Sequence, residues 1–138
     1  MPLLITSEET EDCLRRLLVA EGFKLSAKRS HGETGVDICA LRGNEQLCIE
    51  VIGFKSNPPN RAKDFYEAFF RAISRLKDGA TRCVIAAPFR FKDGLPARAH
   101  QYGEAWTRIG RAFPELEIWL VNTQAGTYSV SKWGGWHT

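Results

Sequence analysis

Over the first twenty residues the apolar positions fall at helical spacing, with Leu14, Leu17 and Leu18 on one face. Thr6 and Glu9 have the spacing of a capping box, the first turn is acidic and Gly22 is a natural stop. These signals predict a helix over residues 7–21. The period then changes to two. Phe23, Leu25 and Ala27 alternate with Lys24, Ser26 and Lys28, the pattern of a half-buried strand over 23–29. Residues 30–35 read as a loop. Strands are predicted over 36–41 and 46–52, joined by a turn at Gly43-Asn44. Ser56-Asn57-Pro58-Pro59-Asn60 breaks the pattern, and Asn60 is the expected N-cap of a helix over 61–77. That helix has the stripe Ala62, Phe65, Tyr66, Phe69, Ala72, Ile73 and Leu76, with Lys63, Glu67 and Arg71 on a solvated face. Residues 81–87 form a continuous apolar run, as in a strand covered on both sides. A third helix over 96–112, a buried strand over 116–121 and an alternating edge strand over 127–133 complete the chain. The order α-β-β-β-α-β-α-β-β implies an α/β fold built on a mixed central sheet.

The chain has 138 residues, 43% hydrophobic and 25% charged, which fits a single domain over 1–138 and excludes a disordered or low-complexity protein. No apolar run approaches the roughly 18 residues of a membrane span. The first residues carry no basic n-region, so no secretory signal is expected. Cys13, Cys39, Cys48 and Cys83 form no C-x-x-C pair. They read as buried free thiols of a cytoplasmic protein, since their spacing does not support the zinc-site alternative. The net charge of +3 permits contact with nucleic acid without requiring it.

The central hairpin carries the candidate chemistry. If Arg42 pairs with Glu45, then Cys39 faces Cys48 and Asp37 faces Glu50. Carboxylates about 5 Å apart on one side of a sheet repel by roughly 3 kcal/mol at an effective dielectric of 20. A divalent cation reverses that sign. The same residues have a plainer reading, another register or a solvated sheet end. Against it, Ile38, Ala40, Leu47, Ile49 and Val51 make the opposite face apolar, which places the pair among core elements. Glu11 lies at the margin of the first helix's buried stripe, where it either faces the sheet or serves the helix dipole.

Together these residues resemble the PD-(D/E)XK nuclease superfamily, whose restriction-endonuclease-like core has the order α-β-β-β-α-β. The matching stretches are Glu11 with Leu14, Leu17, Leu18 and Gly22-Phe23, then Gly35-Val36-Asp37-Ile38, then Ile49-Glu50-Val51. They lie within the part of the chain up to about Ala87. The resemblance implies that Asp37 and Glu50 hold Mg²⁺ or Mn²⁺, that Glu11 supports metal or water, and that a lysine at position 52 serves the attacking water. Position 52 is Ile52 in this chain. Lys55, brought round by a bulge at Gly53, is the first candidate replacement, and Lys63 is the second. Residues 60–72 resemble a branch of the superfamily in which Glu-x-Lys is altered.

Lys24, Lys28, Arg29 and His31 cluster before Asp37, and Arg61 and Lys63 follow Glu50. Of these, Lys28, Arg29, Arg61 and Lys63 are the candidate contacts to a phosphate backbone, either as such or as a solvated basic rim. His31 is a further candidate for assisting the site. The tail carries Trp133 and Trp136, which either close over the body or meet a second subunit, and Phe70 lies off its helix stripe. A homodimer through that helix or through the tail is a candidate assembly. Three functional readings follow. One is a metal-dependent nuclease acting on DNA ahead of RNA. Another is a non-cutting binding module on the same fold, favoured by Ile52. The last is an unrelated α/β protein whose acidic pair is incidental.

Overall fold

The computed structural model describes residues 4–29 and 35–136. Helix α1, Ser7–Ala20, starts at the capping box expected of Thr6 and Glu9. Strand β1 is only Lys24–Leu25, far shorter than 23–29, because beyond Leu25 the chain pairs with its neighbour through single bonds. Ser26 N–H donates to Cys39 O at 2.9 Å, and Cys39 N–H donates to Ser26 Oγ at 2.9 Å. Strands β2, Ile38–Arg42, and β3, Glu45–Val51, form the expected hairpin. Its register pairs Arg42 with Glu45, Cys39 with Cys48 and Ile38 with Ile49.

Helix α2 is Pro58–Ser74, three residues earlier than expected, and a 3₁₀ turn continues it over Arg75–Asp78. The cap is Asn57, whose side chain accepts from the N–H of Asn60. Pro58 and Pro59 fill the first helical turn, where the missing N–H groups would have no helical acceptor. Strand β4, Arg82–Pro88, and a 3₁₀ turn, Phe89–Asp93, follow. The third helix is two helices, α3, Leu95–Tyr102, and α4, Glu104–Ala112. They break at Gly103, whose φ of 47° and ψ of −114° cannot continue a helix. Strands β5, Leu116–Asn122, and β6, Thr127–Lys132, precede a final 3₁₀ turn, Trp133–Trp136.

The fold is α/β with a six-stranded mixed sheet in the order β1-β2-β3-β4-β5-β6. β3, β4 and β5 are parallel to one another, and the other pairings are antiparallel. The two parallel crossovers step in the same direction across the sheet, so α2, α3 and α4 share one face. Phe65, Leu95, Ala99 and Trp106 pack there on Cys48, Ile52, Ile85 and Ile118. Helix α1 covers the other face, where Leu14 and Leu18 meet Ile38, Ile49, Val84 and Trp119. Cys39, Cys48 and Cys83 are register neighbours across β2, β3 and β4. All four cysteines are free thiols, and Cys39 is half-buried where full burial was expected.

The tail folds onto its own body. Trp133 stacks on Trp106 with ring centroids 3.8 Å apart, and each indole N–H donates to the other residue's carbonyl, at 2.9 and 3.0 Å. No helix among the described residues is long and apolar enough to cross a membrane.

Candidate active site

The hairpin register carries past Ile38–Ile49 and brings Asp37 and Glu50 together as expected. The Asp37 N–H donates to Glu50 Oε2 at 3.3 Å, and the Val51 N–H donates to Asp37 Oδ2 at 2.8 Å. Both side chains open into a cavity of about 600 Å³ at the carboxyl ends of the parallel strands. In open α/β sheets that end is where ligands bind. The N-terminal segment, the loop after β3 and one edge of α2 supply the other walls.

Among the described residues two carboxylates are deeply buried, and their surroundings differ. Glu117, 2% exposed, points to the α1 face and receives a two-pronged bond from Arg82 at 2.8 and 2.9 Å. Trp119 Nε1 and Lys132 Nζ also donate to it. Burial alone would raise its pKa, but these donors outweigh burial and hold it below the ordinary carboxylate value. Glu50, 3% exposed, points to the α2 face, and among the described residues only the long bond from Asp37 N–H reaches it. Burial first, and then the Asp37 charge, push it up to about 7. One carboxylate is a finished structural pair. The other keeps oxygen lone pairs available toward a cavity.

Asp37 is held from two sides. Arg29 Nη2 bonds Asp37 Oδ1 closely. Behind the strand, Arg15 Nη2 donates to the Asp37 carbonyl at 2.9 Å and Nη1 donates to the Ser26 carbonyl at 2.7 Å. Glu11 anchors that arginine, with Arg15 Nε 2.8 Å from Glu11 Oε2. Glu11 thus reaches the site through Arg15 and is not among the residues that line the cavity.

Ile52 is 8% exposed and packs in the core on the α2 side, with its N–H donating to Ala86 O. Gly53 makes a close approach to the N-terminal segment. A Cβ there would lie 2.6 Å from Ser7 N and 2.7 Å from Ile5 O, and the next residue pairs with Ile5. This contact, rather than a bulge within β3, turns the chain, and it delivers Lys55 to the cavity wall. Lys55 Nζ lies 3.0 Å from Asp64 Oδ2.

Asp64 is the site residue that the sequence pattern concealed. Asn60, Asp64, Glu67 and Arg71 recur every three or four residues on the cavity edge of α2. That polar stripe beside the apolar one was the available signal. Glu67 and Arg71 are exposed, as expected of a solvated face, and they also stand at the cavity rim. Lys63 contacts Glu67 at 3.8 Å and does not line the cavity.

The expected phosphate contacts are dispersed. Lys28 pairs with Asp12 at 2.9 Å and Glu8 at 3.4 Å, Arg29 is on Asp37, and Arg61 donates to the carbonyls of Lys55 and Ser56. His31 lies outside the described residues.

Hard oxygen donors suit Mg²⁺ or Mn²⁺, and Mg²⁺ sites commonly use one or two carboxylates with water completing the shell. Asp37 and Glu50 fit that description. Among the described residues, no group of three or more His, Cys, Asp or Glu is placed to hold a metal ion. No protein-family model, curated protein or solved structure matches the chain.

Proposed function

We propose that this protein is a small metal-dependent nuclease that hydrolyses phosphodiester bonds in DNA. The supporting observation is Glu50, a buried carboxylate left with one long hydrogen bond beside Asp37 at a cavity that also holds an ammonium group. Asp37 and Glu50 would hold Mg²⁺ or Mn²⁺, which when bound supplies positive charge to the phosphoryl oxygens and acidifies water. Glu11 and Arg15 fix the Asp37 backbone, so the carboxylate is positioned before any ligand arrives. Arg29 neutralises Asp37 in the free protein. Lys55, whose ammonium Asp64 holds at the cavity wall, would orient the attacking water.

A calorimetric titration with Mn²⁺ at low salt, wild type beside Asp37→Ala, tests the metal pocket. One stoichiometric site is expected, lost in the variant. Cleavage of nicked, branched or single-stranded DNA is then expected to need the metal and to fall about 10²- to 10⁴-fold in Lys55→Ala. No Mn²⁺ site would favour the second reading, a non-cutting binding module. The observation behind that reading is Ile52, packed in the core at the position where the superfamily pattern has its lysine.

A further inference from the structure

A second cavity, of about 330 Å³, lies on the other side of the loop that follows β3 and shares Phe54 with the acidic cavity as a common wall. Its lining is basic. Arg61 from α2, Arg90 from the 3₁₀ turn after β4 and Arg98 from α3 converge on it, against the single carboxylate of Asp93. Arg61 and Arg90 both stack on the Phe54 ring, with guanidinium carbons 4.4 and 4.5 Å from its centroid. Arg98 stands deeper, 5.7 Å from the Phe65 centroid and 5.9 Å from that of Tyr66, and its buried Nε has no hydrogen-bond partner among the described residues.

This arrangement is costly without a ligand. Three like charges come from three separate elements, and a buried donor is left unsatisfied among the described residues, which is destabilising. Stacking on aromatic rings holds the guanidinium planes, and Arg61 is also anchored by its Nη1 bonds to the carbonyls of Lys55 and Ser56. An oxyanion with several acceptor oxygens meets both needs, because guanidinium forks match phosphate geometry.

We propose that the arginine pocket seats a phosphate group of the nucleic-acid strand whose scissile phosphodiester occupies the acidic cavity. The strand as the source of the phosphate rests on the nuclease reading, whereas the pocket's affinity for phosphate does not. Phe54 and Lys55 separate the two positions, so the strand runs across the loop after β3 with one phosphate on each side.

The test measures binding of a short fluorescent DNA strand by anisotropy, in EDTA, over a range of salt. Arg90→Gln and the double variant Arg90→Gln/Arg98→Gln are compared with wild type. Arg90 is exposed, so its single variant keeps the test valid if the double variant fails to fold. The expected result is a loss of about tenfold in affinity for the double variant, a smaller loss for the single one, and a log–log salt slope shallower by about 1. Unchanged affinity and slope in a folded variant would overturn the proposal. Inorganic phosphate forms a separate arm, followed by competition and by direct calorimetry. Phosphate binding that needs the arginines, without arginine-dependent DNA binding, would overturn the strand as ligand and leave a small-anion site. Arginine-dependent DNA binding by a protein with no Mn²⁺ site would support the pocket while the nuclease reading failed.

Discussion

Glu50 is the residue at which burial and charge oppose each other. Its pKa in the folded protein is about 7, raised from 4.5 by burial and by Asp37. The fold therefore favours the protonated acid. That contribution is fully present below the unfolded value and is lost as pH rises through the folded one. With each pKa unit worth about 1.4 kcal/mol, roughly 3 kcal/mol disappears across this window. Glu50→Gln is expected to flatten that loss. Chemical denaturation at several pH values should find the variant more stable than wild type above pH 7 and close to it below 4.5. Equal pH profiles would mean that Glu50 is solvated or paired in solution. Asp37 and Glu50 were legible in the sequence because turn geometry and period-two alternation fix facing partners, whereas Lys55 was singled out only through the superfamily resemblance. Asp64 was not legible, because its partner Lys55 is nine residues away and reaches it only after the chain has turned.

Among the elements, the segment from Ile52 to Asn57 decides the shape of the site. Its turn depends on Gly53 lying against the backbone of residues 5–7. Gly53→Ala would push a methyl group into Ser7 N and Ile5 O, both main-chain atoms that cannot rotate away. A destabilisation of about 1–3 kcal/mol is expected, read from the urea midpoint. Because residues 5–7 also line the acidic cavity, Mn²⁺ affinity should weaken in the same variant. The start of α2 carries a related lesson. A proline pair looks like a break in one dimension, yet Pro58 and Pro59 occupy the only helical turn that tolerates them, with Asn57 as cap. The break at Gly103 went unseen for the opposite reason, since a glycine inside an apolar-periodic stretch does not by itself announce a change of direction.

At the scale of the whole molecule, the C-terminal turn locks the helical layer. Trp133 is 2% exposed, stacks on Trp106, and contacts Phe65 and Phe69 of α2. Trp133→Ala removes those contacts and leaves the Trp106 carbonyl without its indole donor, at an expected cost of about 3–5 kcal/mol in thermal or urea unfolding. Since α2 carries one wall of both cavities, binding at each should weaken with it. What the sequence by itself determined was the order of elements, the α/β class, the hairpin register and the facing of Asp37 with Glu50, because each depends on local periodicity and on a short turn. The tertiary structure alone decided which helices share a face, that Glu11 anchors Arg15, that Lys55 meets Asp64, and that three arginines from separate elements line one cavity. Those arrangements depend on the direction of two parallel crossovers and on close backbone approaches between distant segments, and no local pattern along the chain encodes either.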